Sequence, residues 1–290
     1  MEVLSPSDTS AVLRELGYDY YSYEEEAVRP ELSELRFSDV LPGLSSSDDP
    51  DLRELSGKNL YRHQEEAYRA LEAGRNLVLR SGTGSGKTEA WLLYVVRSGA
   101  KALAVYPTLA LANDQIRRIM GVARATGLRA EALDALRRDE LIRADGRAAL
   151  RARIAALDVL VTNPAFLLNE VKKMVAGSRG KLIDRFLSSV DLIVLDELDF
   201  YGPREIALLL SMLRLIRELA SGGFRVAVLT ATLSDPGPLA AFLRELTGRE
   251  VSVIEGRPFR VRNRVYVVLG KDLRRIWEEL RSHEAELRAS

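Results

Sequence analysis

The run Asn76-Leu77-Val78-Leu79-Arg80 leads directly into Ser81-Gly82-Thr83-Gly84-Ser85-Gly86-Lys87-Thr88, and an apolar helical stretch, Glu89-Ala90-Trp91-Leu92-Leu93-Tyr94-Val95-Val96, follows at once. Few arrangements of a chain suit that order. A buried strand delivers the backbone, glycines let its N–H groups curl around an anion, and the next helix points its positive end at the same place. The segment therefore reads as a loop that cradles the phosphates of a nucleotide, lined by Gly82, Thr83, Gly84, Ser85, Gly86, Lys87 and Thr88. Lys87 is expected to reach the β- and γ-phosphates, and the Thr88 hydroxyl to ligate Mg2+. The strict pattern asks for glycine at position 81, where this chain has Ser81.

Around this loop, short apolar runs alternate with helical patterns. Strands are predicted at residues 76–80, 101–106, 128–133, 158–162, 190–195, 225–229, 251–255 and 264–269, and helices at 88–98, 109–125, 204–220 and 238–246. Apolar runs without polar alternation, such as Leu192-Ile193-Val194-Leu195, suit strands covered on both faces. The pattern predicts an α/β fold with a doubly wound, mostly parallel sheet.

A second cluster stands where another buried run ends, at Asp196-Glu197-Leu198-Asp199. That position lets Asp196 hold Mg2+ through water, while Glu197 orients or deprotonates the attacking water. Lys87, Asp196 and Glu197 are the expected catalytic residues, and ATP and Mg2+ the expected cofactors.

Composition narrows the alternatives. The 290 residues include no cysteine, which excludes disulfides, thiolate metal sites and a cysteine nucleophile, and only two histidines. No basic leader followed by an apolar run opens the chain, and no stretch suits a membrane span, so a cytoplasmic location without a membrane partner is expected. The 42 basic and 42 acidic side chains cancel, but residues 1–58 carry 14 acidic and five basic ones, leaving the remainder basic. Arginines cluster at Arg137, Arg138, Arg143, Arg147, Arg151 and Arg153, and again at Arg257, Arg260, Arg262 and Arg264. Each cluster reads either as a solvated face or as a contact with DNA or a further lobe.

Six segments in fixed order carry a family resemblance: Leu60-Tyr61-Arg62-His63-Gln64-Glu65-Glu66-Ala67, the phosphate loop, Tyr106-Pro107-Thr108-Leu109-Ala110-Leu111-Ala112-Asn113-Asp114-Gln115, Val161-Thr162-Asn163-Pro164-Ala165-Phe166-Leu167, the segment from Asp196 to Asp199, and Thr230-Ala231-Thr232-Leu233. The set resembles the N-terminal RecA-like, ATP-binding lobe of superfamily 2 DEAD/DEAH-box-type helicases, and within them the MrfA-like DNA helicases. The resemblance implies that Gln64 reads the adenine edge, with Tyr61 or Arg62 stacked on the base. It implies that Asp199, Thr230 and Thr232 couple the γ-phosphate to movement between lobes. It also implies that Pro107, Thr108, Asn113, Gln115, Thr162, Asn163 and Pro164 grip the phosphates of a nucleic-acid strand. His63 reads as a packing or hydrogen-bonding residue. Leu109 stands where the family carries a basic residue, and Asp199 where many members carry histidine. The RNA-helicase signature around Gln64 is missing, which favours DNA over RNA, and no guanine-binding N-K-x-D motif occurs.

The expected organisation is an acidic N-terminal extension at residues 1–57, the RecA-like lobe at 58–256, and an interlobe linker with a terminal helix (272–289) at 257–290. Too few residues follow Thr232 for a second RecA-like lobe. The resemblance thus implies a motor lobe that acts with a second lobe and turns over poorly alone. An RNA helicase, a translocase that does not unwind, and an ATP-sensing module without turnover are the alternatives.

Overall fold

The computed structural model describes residues 9–28, 30–82, 84–110, 112–178, 180–220, 222–257, 262–269, 274, 277, 278 and 281, without the side chains of Thr9 and Val12. Thr83, Leu111, Arg260 and most of the expected terminal helix lie outside them. By internal contacts the chain divides into two compact units, Met1–Arg29 with Phe259–Ser290, and Pro30–Pro258. The division thus falls after residue 29, where the sequence suggested residue 57. The reason is apolar: Phe37, Val40, Leu41, Leu44 and Leu52 are buried in the same core as Leu71 and Trp91.

Pro30–Pro258 is built on seven parallel strands: β1 (Asn76–Ser81), β2 (Ala102–Val105), β3 (Ala130–Ala132), β4 (Val159–Thr162), β5 (Leu192–Leu195), β6 (Arg225–Thr230) and β7 (Val251–Gly256). Their spatial order is β7-β1-β6-β5-β2-β4-β3, and every pairing is parallel. The apolar runs hide a period of two. Leu77, Leu79, Ala102, Ala104, Leu192, Val194, Ala227 and Leu229 face one core. Val78, Leu103, Val105, Ile193, Leu195, Val226 and Val228 face the other. The first core is closed by helices Arg62–Glu72, Lys87–Ser98 and Asn113–Thr126. The second is closed by Arg147–Ala155, Pro164–Val175, Pro203–Leu219 and Gly237–Thr247.

Parallel strands joined by crossovers bring all their C-terminal ends to one edge, where ligands of such sheets bind. β1, β6 and β5 are neighbours, so the loop after Ser81, the turn after Thr230 and the acidic cluster after Leu195 emerge side by side. β2 and β4 are also neighbours, with Val105 opposite Thr162.

The last predicted strand forms, as Asn263–Leu269, but outside this sheet. It pairs antiparallel with Asp19–Glu25, Tyr21 opposite Val267. In that unit Glu24 pairs with Arg264 at 2.7 Å and also with Arg262, while the Tyr20 and Tyr266 rings meet edge-on at 5.6 Å. Only Arg264 of the two lies within the strand, and the charge of both is met by Glu24.

Candidate functional site

Gly86 is the residue on which the loop turns. It lies in the left-handed region at φ 76°, immediately before helix Lys87–Ser98, and a Cβ built on it would stand 2.2 Å from Gln64 Nε2. Glycine alone satisfies both the dihedral and the contact. Gln64, buried in the first turn of helix Arg62–Glu72, donates from Nε2 to the Gly86 carbonyl at 3.0 Å and accepts from the Tyr61 N–H at 2.9 Å. His63 beside it lies 2.9 Å from the Ser85 carbonyl through Nε2, and burial pushes its imidazole below the ordinary histidine range. Its ring stacks on Tyr61, with centroids 5.5 Å apart. The segment before the loop therefore staples it from below. One N–H and one lone pair of the Gln64 carboxamide are thus engaged with protein. Arg62 is held by Glu31 at 3.2 Å and Glu66 at 3.0 Å.

Ser81, in place of the usual first glycine, is buried at the end of β1, and its hydroxyl donates to the Gly256 carbonyl of β7 at 3.2 Å. The neighbouring strand uses the space: a Cβ on Gly256 would meet Ser81 Oγ at 2.4 Å and His63 Cγ at 2.7 Å.

A cavity of about 250 Å³ opens above the loop, lined by Gly84, Ser85, Gly86, Lys87, Thr88 and Glu89 on one side and by Asp114, Gln115, Arg118, Asp196 and Glu197 on the other. Lys87 Nζ donates to the Ser81 and Gly82 carbonyls at 2.8 and 3.1 Å. Asp196, 2% exposed, accepts the Glu197 N–H at 2.8 Å. Its carboxyl is pushed up to about 6 because burial penalises its charge more than Tyr106, the Glu197 N–H and Lys87 favour it. Glu197 is raised in the same direction by burial. It is the only residue other than glycine at positive φ among the described residues, at φ 54° and ψ 48°. Such a conformation costs on the order of 1–3 kcal/mol and persists where the surroundings over-determine it.

The donors fit a magnesium nucleotide. Among the described residues no group of three or more histidines, aspartates or glutamates could hold a metal by itself. Mg2+ takes few protein ligands and completes its shell with water and phosphate oxygens, so one hydroxyl, Thr88, and one buried carboxylate, Asp196, suit it. A divalent cation would relieve the burial penalty on Asp196. The buried Ser85 hydroxyl, without a hydrogen-bond partner among the described residues, adds a further polar group beside the loop.

The expected coupling residues come together. Asp199 accepts from the Thr230 hydroxyl and from the Ala231 N–H, both at 3.0 Å, and Thr230 Oγ1 accepts from the Thr232 N–H at 3.3 Å. This carboxylate ties the end of β6 to the acidic segment after β5.

The expected strand-gripping residues divide. Pro107 and Thr108 follow β2, and Asn163 and Pro164 follow β4, so these pairs lie at one edge with Asn113. Asn163 Oδ1 accepts from the Phe166 N–H at 2.9 Å and caps helix Pro164–Val175. Thr162 is fully buried, and its hydroxyl donates to the Leu133 carbonyl at 2.6 Å; the geometry turns it away from any strand at the surface. Gln115 also turns inward, its Nε2 donating to Glu197 Oε1 at 3.4 Å. The helix expected from Leu109 begins instead at Asn113, after a turn that Pro107 opens and in which Ala112 is buried.

Sequence reasoning missed three neighbours of the pocket. Tyr106 is wholly buried, and that burial, with the charge of Asp196 beside it, drives its ionisation well above the usual tyrosine range. Glu89, at the start of the loop helix, is buried and paired with Arg118 of helix Asn113–Thr126. The spacing of Gln115 and Arg118, three residues apart on one helix face, was the one available signal.

The family model described as DEAD/DEAH box helicase matches residues 61–238. The "Uncharacterized ATP-dependent helicase YprA" of Bacillus subtilis is 26% identical over 206 residues, covering 68% of this chain and 25% of that protein. The ATP-dependent helicase HRQ1 of Saccharomyces cerevisiae is 27% identical over 190 residues, covering 62% of this chain and 17% of that protein. The chain therefore spans a quarter or less of either relative's length. A crystal structure of the DUF1998 helicase MrfA bound to DNA and AMPPNP shares the fold at a TM-score of 0.69 and 20% identity, covering 97% of this chain and 40% of that one. With the family match running from Tyr61 through the phosphate loop and both acidic and threonine turns, this chain belongs to the DEAD/DEAH box helicase family.

Proposed function

We propose that residues 58–256 form the ATP-binding motor lobe of an ATP-dependent helicase acting on DNA. The observation that carries the reading is one cavity in which Lys87 and Thr88, at the start of the helix after β1, stand with Asp196 and Glu197, which follow β5. With nucleotide bound, Lys87 would exchange the Ser81 and Gly82 carbonyls for the β- and γ-phosphates, Thr88 and Asp196 would hold Mg2+, and Glu197 would orient the attacking water. Bound Mg2+ supplies charge to the phosphates as they separate. Asp199, bonded to Thr230 and the Ala231 N–H and through Thr230 to Thr232, passes the state of the γ-phosphate to the next lobe. Pro107, Thr108, Asn113, Asn163 and Pro164 contact one strand through its phosphates, a mode of binding that does not read bases.

DNA is favoured by the missing RNA-helicase signature around Gln64 and by the DNA in the MrfA structure. A second RecA-like lobe supplies arginine to the γ-phosphate, an interaction worth about a thousandfold or more in turnover. The 290-residue polypeptide is accordingly expected to bind Mg·ATP and hydrolyse it slowly.

The test combines nucleotide affinity with single-turnover phosphate release, each with and without single-stranded DNA or RNA. Lys87→Ala should lose nucleotide binding with the fold intact. Glu197→Gln should keep nucleotide and lose hydrolysis. Hydrolysis by Glu197→Gln at the parent rate would overturn the assignment, and stimulation by RNA alone would overturn the choice of DNA.

A further inference from the structure

The geometry points to Gln115 as a positioning residue for Glu197 rather than a contact to nucleic acid; this rests on the reading of Glu197 as the residue that orients the attacking water. Glu197 sits in a left-handed backbone conformation that other side chains must hold in place. Asp196 fixes its N–H. For the carboxylate itself, the Gln115 amide, 82 positions away in the chain, donates to Oε1. On that reading Oε2 is the oxygen that meets the attacking water. The other end of the same amide, Oε1 of Gln115, is buried and has no partner among the described residues, so the side chain makes no bond toward the strand edge.

The helix that carries Gln115 is itself tied to the phosphate loop. One turn on, Arg118 pairs with buried Glu89, and Coulomb attraction from Glu89 raises the guanidinium pKa despite partial burial. Glu89 lies in the first turn of the loop helix, its Oε2 reaching to 3.2 Å from where a Gly86 Cβ would stand. Helix Asn113–Thr126 is thus registered against the loop by Arg118 and against Glu197 by Gln115. Thr108 follows β2, and Ala112 leads directly into this helix. A strand seated on Thr108 and Asn113 therefore has a path of one helical turn to the group that orients the water.

Two properties separate this role from strand contact or simple packing. First, Gln115→Leu should lower the single-turnover hydrolysis rate about 10- to 100-fold, the size of effect that a misplaced catalytic group produces, while nucleotide affinity and single-stranded DNA affinity stay at the parent values. Second, Gln115→Glu, nearly isosteric but bringing a carboxylate against Glu197, should be slower still, whereas a packing role tolerates it better than leucine. In a double-mutant cycle, Gln115→Leu added to Glu197→Gln should cause no further loss. DNA affinity falling with the chemical step unchanged would return Gln115 to the strand and overturn the proposal. So would full additivity in the cycle, or parental rates in both Gln115 variants. Lys87→Ala and Glu197→Gln, measured alongside, keep the two readings apart: if neither affects hydrolysis, the assignment of the pocket fails and not the role of Gln115 alone.

Discussion

Gly86 shows how tightly one position can be specified. Gly86→Ala must place a side chain at positive φ, a cost of about 1–2 kcal/mol, and force its Cβ into Gln64 Nε2. The expected outcome is a lower urea midpoint and loss of nucleotide binding. Adding Gln64→Ala should remove the clash, so the double variant should be destabilised by less than the sum of the singles. Strict additivity in urea melts would show that the loop and Gln64 do not meet. His63 offers a pH-dependent check. Its imidazole is held below its unfolded value by burial, so the folded state refuses a proton that the unfolded chain accepts. Stability from this residue is complete above about 6.5 and declines as pH falls below that value. Between pH 7.5 and 5.5 the melting temperature of the parent should fall relative to that of His63→Gln; parallel curves would remove His63 from the account. Asp196, pushed up to about 6, and Glu197, raised by burial, respond in the same window with the opposite sign, but both are common to parent and variant, so the difference between the two curves isolates His63.

At the scale of elements, the sheet is held together by more than its apolar faces. Asn76, fully buried at the start of β1, donates to Thr247 Oγ1 at 2.7 Å and the Arg249 carbonyl at 3.2 Å, and accepts the Val226 N–H of β6 at 2.9 Å. One amide thereby fixes β1 against β6 and against the end of helix Gly237–Thr247. Asn76→Ala strands the buried Val226 N–H and removes the amide's bonds to Thr247 and Arg249, and unmet groups of this kind cost about 1–3 kcal/mol each. A loss of roughly 3 kcal/mol is expected from urea denaturation followed by circular dichroism, with nucleotide affinity kept in the folded fraction. A loss within 0.5 kcal/mol, the range usual for surface positions, would mean that the strands align without it. Asn76 is also the first residue of the run that announced the phosphate loop, so the strand that positions the chemistry begins with its own register lock.

Across the whole molecule, charge that reads as a patch in the sequence is resolved into pairs by the fold. Arg151 meets Asp184 at 2.5 and 3.1 Å, Arg153 meets Glu131 at 2.8 Å, Arg137 meets Glu140 at 2.9 Å, Arg147 donates to the Gly180 carbonyl, and Arg257 meets Glu31 at 3.4 Å. Arginines already committed to carboxylates make poor phosphate ligands. Arg151→Ala should lower the melting temperature and leave both the affinity for single-stranded DNA and its salt slope unchanged, since no counterion is released through that side chain. A shallower salt slope in a titration from low to physiological salt would return the cluster to the nucleic-acid surface. No helix among the described residues is long and apolar enough to cross a membrane.

Local order in the chain was enough to determine the phosphate loop, the acidic segment and eight of the strands, though not Asp19–Glu25, Leu32–Arg36 or Asn59–Tyr61, because each of those eight rests on neighbours within a few residues: an apolar run, a glycine at a turn, a carboxylate at a strand end. Where those segments end up relative to one another was decided only by the tertiary structure. The last strand has the same local signature as the others, yet it pairs with Asp19–Glu25, since strand pairing is set by distant partners and not by the run itself. Gln115 and Thr162 lie in segments that lead to the strand edge, and nothing in their immediate sequence reveals that one reaches Glu197 and the other the Leu133 carbonyl. Residues 30–57, polar enough to read as an extension, supply a few leucines and a phenylalanine to the core, and burial depends on what stands opposite, which composition does not record. The sequence carries the chemistry in short words, while the parallel sheet, by bringing the ends of β1, β5 and β6 to one edge, makes them a single site.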